Sequence, residues 1–240
     1  MSVFSRSDRL VVVGHRGGRG PDWPTENTFA AFERALREGA DAIEIDARLC
    51  ATGEVVVFHD PDLKRMSGER DRREVQAVPY LELATRHRAP LLRDVLAFCN
   101  DRRAGLNVEV KYDAVDCVRL SAEVCRILGE FPRADVVVSS FDPRILARVR
   151  ARTDVRLAML TTTERRWSLP LARALAAARA LFSVHLEQAH ARARVVRPMV
   201  ARGVRVGVWT VNEPADARSL RALGASWVIT DRPGALMDSR

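Results

Sequence analysis

The stretch DAIEIDARLCATGEVVVFHD, residues 41–60, decides the fold. Side chains of a β-strand alternate between two faces. Glu44 and Asp46 therefore share one face, and Ile43 and Ile45 share the other. A strand with apolar residues outward and acids inward at its C-terminal end suits a parallel barrel, whose mouth opens at those ends. After Asp46 no helical pattern intervenes before the run Val55–Phe58. A two-residue turn at Thr52-Gly53 would fold that run back antiparallel. This turn sets Ala51 opposite Glu54 and, counting outward, Asp46 opposite His59.

On either side, short β-branched runs alternate with helical stretches. The spacing predicts strands at 10–15, 42–46, 106–111, 135–139, 155–160, 180–186, 204–211 and 226–230. It predicts helices at 26–38, 91–99, 115–128, 143–151, 170–178, 192–202 and 214–223. Asn27-Thr28 and Asp142-Pro143 read as helix starts, with Asn27 as the first cap. Eight strands alternating with helices point to an α/β fold, a (β/α)8 TIM barrel. A doubly wound open sheet is the structural alternative. The 240 residues suit one barrel domain, 1–240, with a short, polar and irregular insertion at 61–90 after the second strand.

Composition removes several classes. Apolar residues make up 47% of the chain, enough to offset the entropy of ordering a core. There is no apolar run of 18 residues, so no membrane span is expected. The run Val11–Val13 is too short for a secretory signal. Cys50, Cys99, Cys117 and Cys125 lack metal or redox spacing and read as buried, reduced thiols of a cytoplasmic protein. The basic side is unusual: of 39 Lys and Arg, only Lys64 and Lys111 are lysines, and the net charge is +8. Such a charge raises the possibility of a non-enzymatic anion-binding protein, including one for nucleic acid. However, the arginines are scattered and aromatics are only 6%, so no nucleic-acid partner is expected. Most arginines read as a solvated outer helix face, as in Arg144–Arg150.

The polar strand residues carry the chemistry. Asn107, Glu109 and Lys111 share a face, as Glu44 and Asp46 do. Three carboxylates in one mouth repel unless a cation joins them. Oxygen-only ligands favour a hard divalent metal, Mg²⁺ or Ca²⁺. His15 and His59 end strands beside these acids and can act as base and acid near neutral pH. Arg16 offers a fork for phosphate oxygens, and the glycines after His15 allow close backbone approach. The stretch Gly14–Gly18 lacks the pattern of a nucleotide loop. His185 and Glu187 end the sixth strand with matching parity and are candidates for contact with an alcohol; His87 and His190 receive no role.

The chain resembles the glycerophosphodiester phosphodiesterase family. The resemblance rests on Gly14-His15-Arg16-Gly17, Glu26-Asn27-Thr28, Glu44-Ile45-Asp46 and Val55–Asp60, and continues through Asn107–Lys111, Ser139–Asp142, Val208–Asn212 and Ile229–Pro233. The hairpin, Ala51-Thr52-Gly53-Glu54, departs from the family's Thr-x-Asp-Gly, and the insertion is short for the family. The resemblance implies a TIM barrel, a divalent metal, and hydrolysis of a glycerophosphodiester to glycerol 3-phosphate and an alcohol. It implies His15 and His59 as the acid/base pair and Glu44, Asp46 and Glu109 as metal ligands. It further implies Arg16 and Lys111 on the phosphate and Trp209 near the substrate, with Glu26 as a candidate extra ligand. A bulkier lysophospholipid, cleaved in lysophospholipase D fashion, is the competing substrate. The nucleophile is left open between water and the neighbouring glycerol hydroxyl. Lys111 stands out as a lysine kept where arginine fills nearly every other basic position.

Overall fold

The structure is a computed structural model that describes residues 2–239; Met1 and Arg240, the ends of the expected 1–240 domain, lie outside the described residues. Eight parallel strands close on themselves: β1 (Val11–His15), β2 (Ala42–Leu49), β4 (Gly105–Val110), β5 (Val136–Ser140), β6 (Arg156–Thr161), β7 (Ser183–Glu187), β8 (Arg205–Trp209) and β9 (Trp227–Thr230). Closure comes from β1, which pairs with both β2 and β9. The protein is thus a TIM barrel, and the open-sheet alternative falls away.

Antiparallel β3 (Val55–Val57) pairs with the far end of β2. The helices are α1 (Phe29–Arg37), α2 (Lys64–Ser67), α3 (Tyr80–His87), α4 (Leu92–Asp101), α5 (Cys117–Gly129), α6 (Pro143–Arg150), α7 (Ser168–Ala177), α8 (Ala193–Val200) and α9 (Pro214–Leu223).

Strand parity builds the two layers. Ile43, Ile45, Val108 and Val110 face outward into the main core beneath the helices. Burial of each such side chain contributes about 1.5–3 kcal/mol. Inside the barrel, Val11, Val13, Ala42, Val137 and Ile229 fill the floor with Trp227. Phe4, from the N-terminal segment, meets Trp227 edge-on at 5.4 Å and closes that end. Gly207 makes room for the indole: a Cβ there would lie 2.0 Å from Trp227 Nε1.

Three local expectations need correction. The hairpin pairs Ala47 with Val57 and Leu49 with Val55, and Cys50 N bonds Glu54 O. The loop is therefore three residues, Ala51-Thr52-Gly53, with Gly53 at φ +93°. A three-residue loop with a left-handed glycine is the other common hairpin solution. Register shifts by one, so Asp46 bonds Phe58 rather than facing His59. The α1 cap is Thr28, whose side chain accepts from Ala31 N; Asn27 sits at φ +57° and points elsewhere. The helix begins at Phe29, not Glu26. Finally, residues 61–90 are not irregular. They hold α2 and α3 around a core of their own, in which Leu63, Val75, Val78 and Leu83 pack on Val56 and Phe58.

Candidate active site

The adjacent strands β1, β2 and β4 bring His15, Glu44, Asp46 and Glu109 to one mouth, which His59 enters from beyond β3 and Trp209 from the end of β8. Register places His15 beside Glu44, Glu44 beside Asn107, and Asp46 beside Glu109. Carboxylate oxygens of Glu44, Asp46 and Glu109 lie within 4.8 Å of one another, and all three residues are buried. A cavity of about 240 Å³ opens above them, with His15, His59, Arg16 and Lys111 in its polar wall. Tyr112, Phe141 and Trp209 form an apolar wall, Phe141 edge-on to its two neighbours at 5.8 and 5.7 Å.

Buried cations partly balance the three acids. Lys111 Nζ lies 3.2 Å from Asp46 Oδ1 and 2.9 Å from Glu109 Oε1. Arg16 Nε is 3.2 Å from Asp46 Oδ2, and Asn27 Nδ2 donates to that oxygen at 2.9 Å. Burial opposes ionisation of Asp46, but Lys111 and Arg16 outweigh it and hold the carboxyl far below its usual range. Glu44 differs. It accepts from Arg16 backbone N at 3.0 Å, and among the described residues no cationic side chain reaches ion-pair distance of it. Burial, Asp46 and Glu109 together push its carboxyl well above the usual range. Asn107 Oδ1, buried in the cavity wall, has no hydrogen-bond partner in the structure. An oxygen-rich cluster with one uncompensated carboxyl and one idle carbonyl can hold a hard divalent cation. Glu26, the candidate extra ligand, lies outside the cluster: its Oε1 accepts from Arg16 at 2.8 Å and from Arg65 at 2.6 Å.

Each histidine has a carboxylate on Nδ1. His15 Nδ1 is 2.7 Å from Asp231 Oδ1, and His59 Nδ1 is 2.7 Å from Asp60 Oδ1. Asp231 accepts from Asn212 Nδ2 at 3.1 Å and pairs with Arg19 Nε at 3.1 Å. Burial lowers the His15 pKa, and the hydrogen bond to Asp231 only partly offsets it. Against the cost of its own burial, Asp60 is pulled down to about 2 by hydrogen bonds from His59 and Arg65.

His59 lies past the end of β3, where strand parity no longer governs it. Its carbonyl accepts from Arg48 Nε at 2.9 Å, while Arg48 Nη2 pairs with Asp113 at 2.8 Å. The sequence reading missed Asp60, Asp231 and Arg48 as parts of the site. Arg48 had a usable signal, since it shares the face of Glu44 and Asp46; Asp60 adjoins His59; Asp231 stands in the Ile229–Pro233 motif, but nothing near it in the chain ties it to His15. His185 does not reach the cavity. It is wholly buried, edge-on to Trp227 at 5.4 Å, and burial pushes its pKa down to about 3. Glu187 accepts from Thr163 N and ties the end of β7 to the β6–α7 loop.

The chain is similar to known proteins over nearly its whole length. The family model described as "Glycerophosphoryl diester phosphodiesterase family" matches residues 15–235. A glycerophosphodiester phosphodiesterase of Caldanaerobacter subterraneus is 26% identical over 96% of this chain and 97% of its own. A human lysophospholipase D is 26% identical over 94% of this chain and 84% of its own. An Oleispira antarctica phosphodiesterase, solved in complex with the product sn-glycerol-3-phosphate, superposes with a TM-score of 0.84 at 22% identity, covering 100% of this chain and 99% of that one.

Proposed function

Since the chain belongs to the glycerophosphoryl diester phosphodiesterase family, we propose that it hydrolyses glycerophosphodiesters to glycerol 3-phosphate and an alcohol, with a divalent cation. The observation that carries this reading is one cavity lined by His15, His59, Glu44 and Glu109, with Asp46 clustered against those two acids. The product bound to the Oleispira protein agrees with it.

Glu44, Asp46 and Glu109 would hold the cation, and their all-oxygen donor set favours Mg²⁺ or Ca²⁺. Such an ion supplies positive charge beside the phosphate oxygens. Arg16 and Lys111 stabilise negative charge on the non-bridging oxygens. One histidine takes a proton from the nucleophile at Nε2, and the other returns one to the leaving oxygen. In each, the carboxylate on Nδ1 fixes the tautomer that leaves Nε2 free for this exchange. Attack by water and attack by the neighbouring glycerol hydroxyl both suit this arrangement. Trp209, in the cavity wall, would lie near the substrate.

The substrate we propose is small, not a nucleic acid. Many arginines are already engaged by acids, such as Arg34 with Glu38, Arg73 with Glu82 and Arg126 with Glu130. We propose a cytoplasmic protein; its four unpaired cysteines suit a reducing compartment. Among the described residues no helix is long and apolar enough to cross a membrane. The likeness to a lysophospholipase D supports a second substrate, a lysophospholipid. Product analysis separates the two. Release of choline from glycerophosphocholine with glycerol 3-phosphate formed is expected; cleavage of lysophosphatidylcholine alone would favour the second.

A further inference from the structure

Glu26 belongs neither to the carboxylate cluster nor to the wall of the active-site cavity, yet its side chain is only 11% exposed. The β1–α1 loop puts it there. Arg16 and Asn27 both take left-handed backbone, at φ +52° and +57°. Residues other than glycine seldom do so, and such positions gather at functional sites. Asn27 N donates to Arg16 O at 2.9 Å, so the loop folds back on itself and lays Glu26 against Arg16. Arg19 N donates to Asp231 O at 2.9 Å and fastens the same loop just past the end of β9.

Glu26 stands in the middle of a chain of ion pairs that ends on both histidines. Its Oε1 accepts from Arg65 Nη2 at 2.6 Å, and Arg65 Nε donates to Asp60 Oδ2 at 2.7 Å. The other oxygen of Asp60 meets His59 Nδ1. On the opposite side, Glu26 Oε2 lies 3.8 Å from Arg19 Nη1, and Arg19 Nε lies 3.1 Å from Asp231 Oδ1. That oxygen meets His15 Nδ1. Charges therefore alternate from one imidazole to the other, through Asp60, Arg65, Glu26, Arg19 and Asp231.

The Arg65 and Arg19 side chains are 50% and 39% exposed. Exposed arginines paired one to one contribute little, because each can swing into water. A shared, mostly buried carboxylate takes that freedom from both at once. Burial opposes ionisation of Glu26, but Arg65 and Arg16 outweigh it and hold the carboxyl below its usual range. Precision matters here, since a misplacement of about 1 Å in a reacting group can cost about 100-fold in rate.

Resting on the hydrolase reading, we infer that Glu26 is a positioning residue for the reaction: through Arg65 and Arg19 it steadies the carboxylates that orient His59 and His15, and so sets both imidazoles from one point. Glu26 itself exchanges no proton and makes no bond to the substrate.

The test follows the imidazole nitrogens of the Mg²⁺-loaded protein by ¹⁵N NMR, with His15→Ala and His59→Ala spectra for assignment. It is paired with kcat for sn-glycero-3-phosphocholine and a thermal melt of each variant. Arg65→Ala should shift the His59 signals and leave those of His15, and Arg19→Ala should do the reverse. Glu26→Gln, which keeps the size and removes the charge, should shift both and lower kcat about tenfold, as loss of an outer partner does. Where Glu26→Gln melts early, Glu26→Asp makes the same test, because it withdraws the charge by one methylene. A role in stability alone would not divide the two histidines between the two arginines. Unmoved signals of either histidine in Glu26→Gln, arginine variants that fail to divide them, or wild-type kcat in Glu26→Gln would overturn the inference and leave the hydrolase reading standing. No turnover by wild type would sink the hydrolase reading, and this inference with it.

Discussion

Asp231 Oδ1 lies 2.7 Å from His15 Nδ1, although 216 residues separate them in the chain. The first and last strands of the barrel are neighbours, and that closure brings the carboxylate to the imidazole. Asp60 does the same for His59 from the adjacent position. An acid/base histidine so held has one nitrogen committed and the other free for chemistry.

Loss of either imidazole should therefore be costly. His15→Ala and His59→Ala are each expected to lower kcat by at least about 10²-fold, the lower end of acid/base contributions. Asp231→Asn should cost about 10- to 100-fold, as loss of an orienting partner does. Steady-state kinetics beside a thermal melt check this; near-wild-type kcat in a histidine variant removes that residue from the mechanism.

Chelation tests the carboxylate cluster. EDTA should abolish turnover, and Mg²⁺ or Ca²⁺ should restore it. Full activity after exhaustive chelation would leave Glu44, Asp46 and Glu109 without a ligand role.

Lys111 sits between Asp46 and Glu109 as a compact ammonium. A guanidinium is larger and planar, and Arg16 already reaches Asp46 from its own side. Lys111→Arg is expected to lower kcat about tenfold or more. Unchanged turnover would make the lysine an accident of an arginine-rich composition.

His185 makes an acid-stability prediction. Its pKa is about 3 in the fold against 6.5 for the ordinary group, so the folded protein keeps it neutral. Below pH 6.5 the unfolded chain binds a proton that the folded chain does not, and stability falls until the pH nears 3. From pH 7 to 5 this residue should cost about 2 kcal/mol. Urea unfolding of wild type and His185→Gln at both pH values measures the difference; equal losses would contradict it.

Much of this was legible in the sequence. Alternation in Ile43–Asp46 and Asn107–Lys111 determined which residues face the barrel interior, because a strand's two-residue period is local. The eight strand runs pointed to a barrel with an open sheet as the alternative, and only the pairing of β1 with both β2 and β9 closed it; His15, Glu44, Asp46 and Glu109 stand where parity at strand ends puts them. Parity does not set height along the barrel axis. His185 has the inward parity expected of it, yet it lies deep against Trp227 rather than at the mouth. Nor does a nominal turn determine register: one extra loop residue moved Phe58, not His59, opposite Asp46. The Arg48 hydrogen bond to the His59 carbonyl, and not strand pairing, anchors that histidine. Asp231 on His15 and Asp113 on Arg48 are likewise products of closure and loop packing. The sequence by itself determined faces and strand ends, which depend on local backbone geometry. Only the tertiary structure decided depth, register and partner, which depend on how segments far apart in the chain are staggered against one another.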